Sequence, residues 1–161
     1  MDTSNLLRLN WEICYDKEDW FLPVADALKG LTAEQAHWRP EGGPVNTIWE
    51  TLNHLIFYKE RMLKRMMGEE TAYPEGVTNE DTFKVESTGE EAWAETVQHS
   101  HDVHLAIRER IAGLKDDDWE NAAPGRRLDQ WLNSLALHDA HHAGQIVLLR
   151  KLQGSWPAQR S

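Results

Sequence analysis

Leu128 to Leu152, LDQWLNSLALHDAHHAGQIVLLRKL, is the stretch whose reading decides the fold. Trp131, Leu135, His138, His142, Ile146 and Leu149 recur at three- and four-residue intervals, which is one face of an amphipathic α-helix. Gly154 stands just beyond Gln153 as a cap, and Pro157 keeps the helix from resuming. The same face carries two imidazoles one turn apart, His138 and His142. Side chains at this spacing stand about 5 to 6 Å apart at Cβ, so both rings can reach one divalent ion at about 2.0 to 2.1 Å if another helix brings a third ligand. Two neutral rings buried among aliphatic residues need hydrogen-bond partners or a metal, because an unpaired buried polar group costs roughly 1 to 3 kcal/mol.

Outward from this helix, the apolar positions predict three more. From Ser4 to Leu31, Leu6, Leu7, Trp11, Ile13, Cys14, Trp20, Phe21, Val24, Ala25 and Leu28 recur mostly at three- and four-residue intervals and predict one amphipathic helix ending at Gly30, which Pro23 kinks or shortens. Thr32-Ala33-Glu34-Gln35 is a capping box opening a short turn of helix that Arg39-Pro40 closes. A second long helix is predicted from Asn46 or Thr47 to about Met67, with Ile48, Thr51, Leu52, Leu55, Tyr58 and Met62 as its buried arc and His54 at the edge. Gly68 to Gly89 is too long for a tight turn and is expected to cross the end of the molecule. The third helix runs from Glu90 to Leu114, capped by Thr88 or Gly89, and Lys115 to Pro124 is expected to be a loop with one helical turn. Four amphipathic helices without an alternating strand pattern predict an all-α, four-helix bundle over one domain, residues 1–161, and the long middle connection argues against simple up-down-up-down order.

Composition narrows the function. The net charge of −10, from 17 basic and 27 acidic residues without a basic patch, opposes nucleic-acid binding. No run of eighteen apolar residues spans a membrane, and the acidic, polar N-terminus lacks the pattern of a signal peptide. The lone Cys14 excludes an internal disulfide framework, and the chain is expected in the cytoplasm.

For the third ligand, His54 is the first candidate, since its helix is long enough to lie beside the fourth. His101 and His104, three apart on the third helix, are rivals, and histidines that merely hydrogen-bond to their neighbours are a further reading. His138-Asp139-Ala140-His141-His142 resembles the His-Glu-x-x-His pattern in spacing alone, so peptidase chemistry is not carried over. Asp139 is expected at the surface or supporting the ligands, His141 on the surface and Gln145 solvated or holding a polar group; no general base is identified. Three neutral histidines around a divalent ion leave its charge at +2, which favours ionising a bound water or thiol and opens both hydrolysis and thiol transfer. Eight tryptophans, among them Trp11, Trp20, Trp38, Trp49 and Trp131, suit a core, a dimer face or an apolar pocket.

Leu31-Thr32 through Trp38-Arg39-Pro40, Thr51-Leu52-Asn53-His54-Leu55, and His138-Asp139-Ala140-His141-His142-Ala143-Gly144-Gln145-Ile146 together resemble the DinB-like family of metal-binding helical bundles, over nearly the whole chain. The resemblance implies an up-down-down-up path, frequent dimers, and a divalent metal, zinc or nickel, on His54, His138 and His142. It also implies a choice among transferases that use low-molecular-weight thiols such as bacillithiol or mycothiol, hydrolases of small substrates, and metal-binding stress or interaction proteins without turnover.

Overall fold

Thr47 accepts a hydrogen bond from the Glu50 amide while the Glu50 carboxylate accepts one from the Thr47 amide, and this reciprocal cap starts helix α4 (Ile48–Met66). The computed structural model describes residues 3–120, 122–123 and 126–157. Before α4 come α1 (Thr3–Ile13), α2 (Val24–Leu28) and α3 (Ala33–His37), and after it α5 (Glu90–Gly113), α6 (Asp116–Trp119) and α7 (Leu128–Gln153). The protein is mostly helical, and no described helix is long and apolar enough to cross a membrane. Gly154 adopts the left-handed conformation (φ 77°) that ends α7, so that the Ser155 amide reaches back to the Arg150 carbonyl.

The four longer helices contact one another in a ring, α1 with α5, α5 with α4, α4 with α7 and α7 with α1. Residue numbers rise together along α4 and α5, from the Trp49–Trp93 ring pair to Lys59–His104 and Met66–Arg110. They run in opposite senses along α4 and α7, where His54 meets His142 and Lys59 meets Asp139. Along α1 and α7 they rise together again, from Asn10–Asn133 to Cys14–Asp139. Trp11, Trp49, Leu52, Ile107, Leu132 and Ile146 are among the fully buried side chains between these helices. Apolar burial of this kind contributes roughly 25 cal/mol per Å², which makes the interior the main source of stability.

Three expectations need correction. The predicted first helix is two helices, because Tyr15-Asp16-Lys17-Glu18-Asp19 offers no apolar face to continue it. The chain turns back so that the Val24 and Ala25 amides donate to the Cys14 and Tyr15 carbonyls, and Pro23 stands just before α2, where its missing N–H costs nothing. Trp20 within this reversal is 94 % exposed, whereas Trp11, Trp49, Trp93 and Trp119 are core. The segment between α4 and α5 does more than connect: a 3₁₀ turn, Glu80–Phe83, packs against α4. Before α7, a short antiparallel ladder pairs Ala122 with Arg127 and Ala123 with Arg126, where a loop was expected; Pro124, the expected end of that loop, lies outside the described residues.

Candidate metal centre

Helical periodicity alone places His138 and His142 on one face of α7, and the opposed packing of α4 brings His54 to them. Their ligand nitrogens all lie within 4.8 Å of one another. His54 Nε2 is 2.9 Å from His138 Nε2, which is 3.0 Å from His142 Nε2. His54 and His142 are buried and His138 is half-buried.

The surrounding hydrogen bonds assign the tautomers. The Thr82 hydroxyl donates to the Asn79 carbonyl at 2.6 Å, which leaves its oxygen to accept from His54 Nδ1–H at 2.6 Å. The Gln145 amide nitrogen faces His141 Nε2 at 3.3 Å, so its oxygen accepts from His142 Nδ1–H at 2.6 Å. With both Nδ1 protons committed, His54 and His142 present bare Nε2 lone pairs. The single ring between them, His138, can donate to only one. Some lone pair therefore faces another nitrogen, and a cation at the convergence point would accept all three.

Electrostatics agree with that donor set. Burial holds the His54 imidazole down to about 3, with the positive charge that His138 and His142 would carry adding to the effect. Burial also lowers His138 to about 4, again helped by His142 and His141. His142 is lowered by burial as well, against the Gln145 hydrogen bond, which favours the charged form. All three rings are thus neutral near pH 7, the state a metal ligand needs. Phe83 stacks on His54 with ring centroids 3.9 Å apart and 11° between planes, and the Tyr58 ring meets it edge-on at 5.0 Å. The residues present fit a divalent ion bound by three imidazoles.

A cavity of about 590 Å³ opens beside His54 and His138, and Tyr58, Arg61, Trp131 and Leu135 contribute to its wall. Its size suits a small organic molecule. Burial and the hydrogen bond with Tyr73 push the Tyr58 hydroxyl up to about 12, so it remains a donor at neutral pH, pointing at Asn79 Oδ1 at 2.8 Å.

The rival histidines lie elsewhere. His104 is sandwiched between Trp11 (4.6 Å) and Tyr15 (4.0 Å), donates from Nε2 to the Trp11 carbonyl at 3.0 Å and accepts from Lys59 at Nδ1, 3.0 Å away. Both its nitrogens are therefore occupied. His101 tilts against Tyr15, and His99 pairs with Glu60 at 2.6 Å. His141 touches the edge of His142, and Gln145 orients His142 rather than simply meeting solvent.

Asp139 corrects the expectation of a surface position: it is 1 % exposed and forms an ion pair with Lys59 at 2.5 Å. Cys14 Sγ lies 3.7 Å from the same carboxylate, and burial, then that charge, raises its thiol well above the usual range. The signal for this pair was present. Lys59 interrupts the stripe Leu52, Leu55, Met62, and Asp139 interrupts Leu132, Ala136, Ala143, Ile146, one charge in each of two apolar seams. Thr82 and Phe83 left no comparable signal, because an irregular segment has no periodicity to show which side chains turn inward.

The family model described as the DinB superfamily matches residues 24–146, a span that includes all three histidines. The chain belongs to the DinB superfamily. No curated protein and no solved structure matches it.

Proposed function

We propose that this member of the DinB superfamily holds a divalent metal, zinc or nickel, on His54, His138 and His142 and transfers a low-molecular-weight thiol to a small electrophile in the adjoining cavity. The observation that carries the reading is the convergence of three neutral imidazole nitrogens beside a cavity of about 590 Å³. A divalent ion held by neutral ligands keeps its full charge and lowers the pKa of a thiol or water that it binds. Thr82 and Gln145 hold two of the rings in the tautomer that leaves Nε2 free, and Phe83 covers His54. Cys14, buried with a raised pKa, is withdrawn from the role of nucleophile, so the reacting sulfur belongs to the cosubstrate. In the transfer, the thiol proton goes to solvent, the sulfur forms a C–S bond, and the leaving group departs with the electrons of the broken bond.

The fold part of the reading is a four-helix bundle with an up-down-down-up path. It is supported by the senses of the contacts: α4 opposed to α7, α5 alongside α4, and α7 alongside α1. A homodimer belongs to the same proposal, with the exposed Leu137, Leu148 and Leu152 of α7 as apolar surface available to it. The single cysteine suits a cytoplasmic setting.

Metal content per chain, measured on untagged protein and on His54→Ala, His138→Ala and His142→Ala, tests the site. Near-stoichiometric metal in the wild type, lost from each folded variant, is expected. Wild type that stays metal-free after reconstitution with zinc and with nickel sinks the reading. With the metal established, thiol-dependent adduct formation followed by mass spectrometry supports transfer. Turnover without thiol, with solvent oxygen incorporated, would replace transfer by hydrolysis.

A further inference from the structure

The wall of the cavity beside the histidines has a charge opposite to that of the chain as a whole. Acidic residues outnumber basic ones 27 to 17, yet the described residues lining this cavity include Arg61 and Arg126 and no Asp or Glu. Arg61 is held in place: Nε and Nη2 donate to the Thr71 carbonyl at 3.1 and 2.6 Å, and the guanidinium lies 4.3 Å above the Tyr73 ring. Arg126 donates from Nη2 to the Ser134 hydroxyl at 2.5 Å. The partners of both guanidiniums are neutral oxygens among the described residues, so two positive charges face one cavity without a carboxylate to balance them. Trp131 and Leu135 give the same wall an apolar side, and His54 and His138 form another part of it.

We propose that this cavity recognises a small organic carboxylate, with the carboxylate against Arg61 and Arg126 and the apolar body against Trp131 and Leu135. The inference rests on the reading that this cavity is the substrate site. A planar guanidinium matches a carboxylate through parallel N–H donors, and charge-assisted bonds of this kind are about twice as strong as neutral ones. The apolar side favours an anion with a body to bury over free inorganic phosphate. Anchoring the charged end at the arginines leaves the remainder of the molecule beside the histidine cluster, so the arginines select the substrate and the histidines remain free to hold the metal.

Calorimetric titration of metal-stripped protein, with chelator removed by dialysis, tests this without any contribution from a metal. Benzoate, benzyl alcohol and phenyl phosphate are the probes. Benzoate is expected to bind better than benzyl alcohol, and Arg61→Gln and Arg126→Gln are each expected to weaken it about tenfold at low salt, leaving benzyl alcohol unchanged. Arg126→Gln keeps the test decisive if loss of the Arg61–Thr71 contact disturbs folding. Benzoate binding indifferent to Arg126→Gln, or no benzoate binding at millimolar concentration, overturns the proposal. Phenyl phosphate binding tighter than benzoate overturns the carboxylate assignment. Wild type that takes up metal but not benzoate removes this inference alone, and wild type that binds benzoate but no metal removes the metal reading alone.

Discussion

Two polar clusters lie side by side between α4 and α7, and they are built on opposite principles. His54, His138 and His142 turn like groups toward one another, nitrogen to nitrogen at 2.9 and 3.0 Å. Lys59, Asp139 and His104 pair donor with acceptor, Lys59 reaching Asp139 at 2.5 Å and His104 at 3.0 Å, with the Tyr15 ring 4.5 Å from its ammonium. The second cluster closes on itself, and the first can be completed only from outside. Asp139 is adjacent in sequence to His138, and Lys59 is little more than one turn from His54. The ion pair that joins the helices thus lies next to the place where the three histidines meet, and fixes the same register.

The largest effect that would sharpen this contrast concerns the closed cluster. Asp139→Ala leaves a buried ammonium without its partner and is expected to destabilise the metal-free protein by about 3 to 5 kcal/mol in urea unfolding. Lys59→Met should cost a similar amount, while Lys59→Met with Asp139→Leu should recover most of the loss, since two apolar groups leave no orphaned charge. Simple addition of the two single losses would break the comparison.

A smaller effect belongs to the open cluster. Thr82→Val keeps the shape and removes the acceptor that orients His54, and metal affinity is expected to fall about 10- to 100-fold, with about 1 kcal/mol lost in unfolding. Direct titration with zinc measures the first and urea unfolding the second. A variant that binds metal as tightly as the wild type would remove Thr82 from the site.

The gentlest test is pH. The ordinary histidine value of 6.5 is lowered in the fold to about 3 at His54 and about 4 at His138, and in the same direction at His142 and His104, in each case chiefly by burial. Protons therefore prefer the unfolded chain, and stability that is full above about pH 6.5 falls as the pH drops toward 4. Asp139, raised by burial, acts in the opposite sense at the acidic end of this window. Unfolding midpoints of metal-free protein from pH 8 to 4 should show the decline, and a flat profile would contradict neutral, buried imidazoles.

Much of the helical frame was legible because helix formation is local. α7 was expected over Leu128–Leu152 and spans Leu128–Gln153, and Thr47 was one of two candidate starts for α4, whose first helical residue is Ile48. The break after Ile13 had a local sign in the polar run Asp16-Lys17-Glu18-Asp19, but the apolar residues on both sides of it share one spacing and so suggested a single helix. Within the site, His138 and His142 followed from spacing and the inward face of α7. The resemblance named His54, although the residues alone left it beside His101 and His104. The structure separates them through the stacking of His104 between Trp11 and Tyr15.

By itself, the sequence determined which residues share a helical face, because 3.6 residues per turn relates positions a few residues apart whatever surrounds them. That was enough for α4, α5 and α7, for the Thr32 and Gly154 caps and for the histidine pair on α7. Only the tertiary structure decided that His54 meets that pair, that Thr82 and Gln145 turn its nitrogens inward, and that Lys59 and Asp139 meet in the core. These are contacts between segments far apart in the chain, and their distances follow from how whole helices pack rather than from any local repeat.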